Sequence, residues 1–111
     1  MAEDQTLKRK KDDQRSMVYD IMSYAITRGA PIYPTLEFGA TISGDHEFSC
    51  ALRLTNDEIC RWSDFASAMK KCVFPFHDYE IEALDKGEES GRLDVAMRDL
   101  AKKLKSGYWK Y

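Results

Sequence analysis

The 111-residue sequence predicts a small α+β domain: an antiparallel sheet of two or three strands, covered on one face by three helices, in the order α-β-β-α-β-α. Three patterns carry this expectation. Polarity alternates residue by residue from Leu36 to Leu54, and again over the shorter stretch Tyr79 to Ala83. Three other stretches repeat their apolar residues at helical spacing. Side chains on a strand point to opposite faces with a period of two, whereas those on a helix return to one face every three or four residues.

The first helix is expected from about Asp12 to Arg28. Val18, Ile21, Met22 and Ala25 stand at i, i+3, i+4 and i+7, and Gly29 suits the left-handed position beyond a helix end. Residues 1–11 read as a charged lead-in, open to disorder, ahead of a single domain over 12–111. Its basic run Lys8-Arg9-Lys10-Lys11 is largely cancelled by Glu3, Asp4, Asp12 and Asp13. Pro31 and Pro34 predict an extended crossover, because proline lacks an N–H and biases its predecessor away from the helix.

The hairpin over 36–54 follows. Leu36, Phe38, Ala40 and Ile42, then Phe48, Cys50, Leu52 and Leu54, would form its buried face, on either side of a turn at Ser43-Gly44-Asp45-His46. Thr55-Asn56-Asp57-Glu58 reads as a capping box that opens the second helix, from Asn56 to Cys72. Its apolar stripe is Ile59, Trp62, Ala66, Met69 and Val73. Tyr79, Ile81 and Ala83 suggest a third strand, at a sheet edge because Asp78, Glu80 and Glu82 fill its other face. After a loop over 85–91, Leu93, Ala96, Met97, Leu100, Ala101 and Leu104 predict a last helix over Arg92 to Lys105. Three apolar helical stripes against one small sheet face leave room for a homodimer.

Composition narrows the function classes. A net charge of −2 gives no overall attraction to nucleic acid or to an anionic membrane. No apolar run approaches the ~20 residues of a membrane span, and the polar N-terminus lacks the apolar centre of a signal peptide, so a cytoplasmic location is expected. Three cysteines, Cys50, Cys60 and Cys72, are an odd number and read as buried reduced thiols rather than a disulfide framework.

No catalytic constellation emerges, so the chain reads as non-enzymatic. His46 and His77 each have a neighbouring carboxylate, but adjacent side chains in extended chain point apart and do not orient one another. Cys60, Cys72 and His77 lack the paired short spacings of a zinc site, and none of the six glycines forms a phosphate-binding loop, so no metal or cofactor is expected. A small metabolite-binding or enzymatic site around His77, near Cys72 and Tyr79, is the least favoured of three readings.

The first reading uses an acidic surface. Asp78, Glu80, Glu82, Asp85, Glu88 and Glu89 are set against Lys86 alone, a local balance of −5. On a strand, Asp78, Glu80 and Glu82 would stand about 6–7 Å apart on one face and could dock on the basic surface of a protein partner. A solvated, self-protecting edge accounts for the same pattern. The second reading is nucleic-acid binding by Arg98, Lys102, Lys103, Lys105, Tyr108, Trp109 and Lys110, where cations hold phosphates and aromatic rings stack on bases. Lysines at a helix C-terminus and a Trp folded back on a core account for the same pattern and are the favoured explanation. By elimination, a small protein-binding regulator or inhibitor is expected. The resemblance to small inhibitors carried by mobile elements is one of size and charge layout only.

Overall fold

The structure, a computed structural model, describes residues 2–62, 68–69 and 78–106. It contains no strand among them. Among the described residues, five helices take the place of the expected α+β arrangement: α1 (Ala2–Thr27), α2 (Ile32–Ile42), α3 (His46–Trp62), α4 (Asp78–Glu89) and α5 (Leu93–Ser106). All five send side chains into one core, among them Val18, Leu36, Phe48, Leu84 and Met97.

The first and last helices stand as expected, α1 reaching back to Ala2. Gly29 closes α1 at φ 92°. Its N–H donates to the Ile26 carbonyl at 2.9 Å, and that of Ala30 to the Ala25 carbonyl at 3.0 Å, satisfying two of the helix's last carbonyls. The helices α1 and α5 run antiparallel. Ser16 Oγ donates to the Ala101 carbonyl at 2.6 Å, and Thr27 Oγ1 to Asp94 Oδ2 at 2.8 Å.

The hairpin over 36–54 is instead a pair of helices, and burial shows why. On α2 the buried residues are Thr35, Leu36, Gly39 and Ala40, while Phe38, which a strand would bury, is 52% exposed. On α3 the buried residues are Phe48, Ser49, Ala51, Leu52, Thr55 and Asn56, whereas Cys50 is exposed and Leu54 is 55% exposed. Those sets recur at three and four, not at two. Leu36 with Ala40, and Phe48 with Leu52, satisfy both periods. Phe38, Cys50 and Leu54 satisfy only the strand, and they face outward.

The prolines do not block α2. Pro31 is its N-cap residue, in extended geometry, and Pro34 is its third residue. The first N–H groups of a helix have no intrahelical partner, so a proline there forfeits nothing. Ser43-Gly44-Asp45 remains a turn, but between helices. Asp45 caps α3, its Oδ1 accepting from the Glu47 N–H at 3.2 Å, and Gly44 N–H donates to Gln14 Oε1 at 3.0 Å. The Thr55–Glu58 capping box is likewise overturned, since it lies within α3. Thr55 Oγ1 donates back to the Ala51 carbonyl at 2.8 Å. Asn56, fully buried, donates to the Tyr33 carbonyl at 3.0 Å and to Glu37 Oε1 at 3.2 Å, tying α3 to α2.

Two glycines allow close helix crossings. A Cβ at Gly39 would stand 2.7 Å from Met22 Sδ on α1, and one at Gly87 would stand 2.5 Å from the Ala96 Cβ on α5. The α4–α5 turn closes through Gly91, at φ 73°. Among the described residues, no helix is long and apolar enough to cross a membrane.

Candidate functional site

Helix α4 occupies the place of the expected third strand, and this rearranges the acidic segment. A strand would align Asp78, Glu80 and Glu82. On a helix the residues that align are Asp78, Glu82, Asp85 and Glu89, at i, i+4, i+7 and i+11. Asp78, Glu82 and Glu89 are exposed and Asp85 is half-buried. At 1.5 Å per residue the stripe runs about 16 Å along the helix. Glu88 is half-buried beside it, and Lys86 reaches Glu82 at 3.1 Å in a solvent-exposed pair of little energetic weight.

Glu80 leaves the surface altogether. It is fully buried and accepts two hydrogen bonds from α1, one to Oε2 from Arg15 Nη1 at 2.8 Å and one to Oε1 from the Tyr19 hydroxyl at 2.7 Å. Arg15 and Tyr19 are one turn apart, so both reach the same carboxylate. Phe48 of α3 completes the cluster. The Arg15 guanidinium sits 4.9 Å from its ring centroid, and the Tyr19 ring meets it edge-on at 5.5 Å. Burial pushes the Tyr19 phenol well above its ordinary pKa, with the Glu80 charge adding to the effect, so it stays a protonated donor.

This cluster holds an acid, a cation and a phenol, the materials of acid–base chemistry. Arg15 is only 4% exposed, Tyr19 1% and Glu80 0%, so a substrate has no approach to it. Its effect is mechanical. A buried ion pair with a directional hydrogen bond fixes the rotation of α4 about its own axis. With Glu80 turned inward, the Asp78–Glu82–Asp85–Glu89 stripe must face outward. Sequence reasoning missed Arg15 and Tyr19. Their signal was available as two polar-tipped residues at i and i+4 on the side of α1 that carries Val18 and Met22.

The basic residues of α5 also form a stripe. Arg98, Lys102 and Lys105 stand at i, i+4 and i+7, all exposed, and Lys103 is exposed on the neighbouring side. Arg98 donates to Thr27 Oγ1 at 3.3 Å. Lys102 and Lys105 line a groove of about 420 Å³ between α1 and α5, whose opposite wall carries Asp13 and Asp20. The two walls offset one another in charge. A second groove, of about 260 Å³, lies between α4 and α5 and is edged by Lys86, Arg92, Lys103 and Asp99 over small apolar residues.

The remaining candidates are dispersed or lie elsewhere. His77, Cys72, Tyr108, Trp109 and Lys110 fall outside the described residues. Tyr79 is half-buried on α4. His46 is the first residue of α3 rather than part of a strand turn, and Cys50, expected in the core, is exposed beside it. Among the described residues, no three of His, Cys, Asp and Glu are gathered as a metal centre requires. Compared with protein-family models, with curated proteins and with solved structures, the chain matches none.

Proposed function

We propose that the chain is a non-enzymatic protein-binding module, a small regulator or inhibitor, that docks a basic partner surface through the acidic stripe of α4. The observation that supports this most is the alignment of Asp78, Glu82, Asp85 and Glu89 on one helix face, held outward by the inward anchor at Glu80. A rigid row of carboxylates steers a basic partner and fixes its register more than it adds raw affinity. The same reading puts its work in the cytoplasm, in keeping with the odd cysteine count and the free thiol at Cys50.

Affinity capture on the immobilised chain tests the proposal. A partner held at ~50 mM salt should be released at ~500 mM, because exposed charges are screened over a few ångströms at that strength. It should also be lost from the charge-reversed variant E82K/E89K. Retention that ignores both salt and the reversal would overturn the proposal.

A second reading, nucleic-acid binding through α5, draws on the Arg98–Lys102–Lys105 stripe. Asp13 and Asp20 across the groove weigh against it. A polarisation titration with single- and double-stranded probes at ~50 mM salt, where phosphate contacts are strongest, decides it. Absence of binding to every probe eliminates this reading.

A further inference from the structure

We propose that His46 and Cys50 form half of a zinc site, completed by the same two residues of a second copy of the chain. The pair stands one turn apart on the outer face of α3, with both side chains exposed. His46 Nε2 lies 3.5 Å from Cys50 Sγ. Zinc holds a thiolate sulfur at about 2.3 Å and an imidazole nitrogen at about 2.0–2.1 Å in a tetrahedron. Bonds of those lengths, set at the tetrahedral angle, place the two donor atoms about 3.5–3.6 Å apart. The His46–Cys50 pair holds nitrogen and sulfur at that separation.

Donor chemistry selects the ion. A thiolate with an imidazole suits zinc or cobalt, whereas magnesium and calcium require oxygen. A structural zinc site takes four protein ligands, and no third ligand gathers with this pair among the described residues. A two-fold axis presents the same patch twice and so supplies two more. Two thiolates and two neutral imidazoles cancel the ion's double charge, leaving a neutral centre at the interface. Each Cys50 thiol gives up its proton to solvent as its sulfur binds, so two protons leave for each zinc bound. The surrounding face of α3 suits a second copy, since it carries Leu54, 55% exposed, between Arg53 and Asp57 of opposite charge. This site is on α3 and is independent of the acidic stripe on α4.

The test is a cobalt titration of the reduced full chain, followed by zinc, with mass read by light scattering. The expected result is a thiolate-to-cobalt charge-transfer band that saturates at one cobalt per two chains, with a doubling of mass, and that zinc bleaches without undoing the dimer. C50S and H46A change exposed residues and should keep their helical circular dichroism while losing both the band and the dimer. C60S/C72S should keep both. A band that survives in C50S, saturation at one metal per chain without a change of mass, or no band at all would overturn the proposal.

Discussion

Replacing Glu80 by Gln probes the anchor on which the acidic stripe depends. The change keeps volume and shape but removes the negative charge facing Arg15, whose side chain is only 5% exposed. Removing one member of a buried ion pair costs about 3–5 kcal/mol. The glutamine oxygen can still accept from Tyr19, which places E80Q near the low end, at about 3 kcal/mol. For 111 residues, each kcal/mol moves Tm by roughly 4 °C, so a loss of roughly 12 °C is expected. The assay is thermal unfolding followed by circular dichroism, with E82Q as control. Glu82 is exposed and pairs with an exposed lysine, so E82Q should stay within about 0.5 kcal/mol of the parent. The triple variant R15M/Y19F/E80L replaces all three of these polar side chains together and should recover most of the loss, because apolar residues of similar volume often replace a buried pair without cost. Equal stability of E80Q and E82Q would refute the inward placement of Glu80. It would also remove the reason for the stripe to face outward.

Further expectations follow from the packing and the protonation states. G87A should destabilise by about 1–2 kcal/mol in urea unfolding despite alanine's better helix propensity, because the new methyl meets Ala96 Cβ, which cannot turn away. G39A should be milder, because the nearest atom is the flexible end of Met22. F48A should cost about 3–5 kcal/mol and L54A less than about 0.5, whereas a hairpin over 36–54 would make both costly. Tyr19 holds its proton more tightly folded than unfolded, so its contribution is complete below pH ~10 and is lost as pH rises beyond it. The alkaline decline in stability should therefore be shallower in Y19F. The Asp94 carboxyl is held below its usual pKa, first by the hydrogen bond from Thr27. That contribution is present above pH ~4 and disappears as pH falls through the lowered folded value, and T27V should flatten this acid limb.

The sequence made the end helices legible because their signals agree. The stripe Val18, Ile21, Met22, Ala25 ends at Gly29, and the stripe Leu93 to Leu104 has only one periodic reading. The middle is ambiguous in sequence because two periods fit the same large residues. Positions i and i+4 share a face on a helix and on a strand alike, so Leu36 with Ala40 and Phe48 with Leu52 cannot discriminate. The turn residues were equally ambiguous, since Gly-Asp serves a hairpin, and an Asp also caps a helix. The polar residues Ser49, Thr55 and Asn56 would have decided it. They complete the helical face of α3 only if Ser, Thr and Asn are admitted to the core, where Thr55 and Asn56 find hydrogen-bond partners. The acidic segment was legible as a charged surface but not in its membership. Glu80 could be assigned inward only by knowing that Arg15 and Tyr19 lie opposite, sixty-five and sixty-one residues away in sequence.

Backbone NMR tests the central claim most directly, namely that residues 46–59 and 78–89 are helices, with Glu80 turned inward and Asp78, Glu82, Asp85 and Glu89 aligned on the other side. Unbroken helical Cα shifts and sequential amide–amide contacts through both stretches, together with contacts from the Tyr19 ring to the Glu80 side chain, are the predicted result. Strand-type Cα shifts over 48–54 or 79–83, or a Glu80 side chain without contacts to Tyr19, would contradict it.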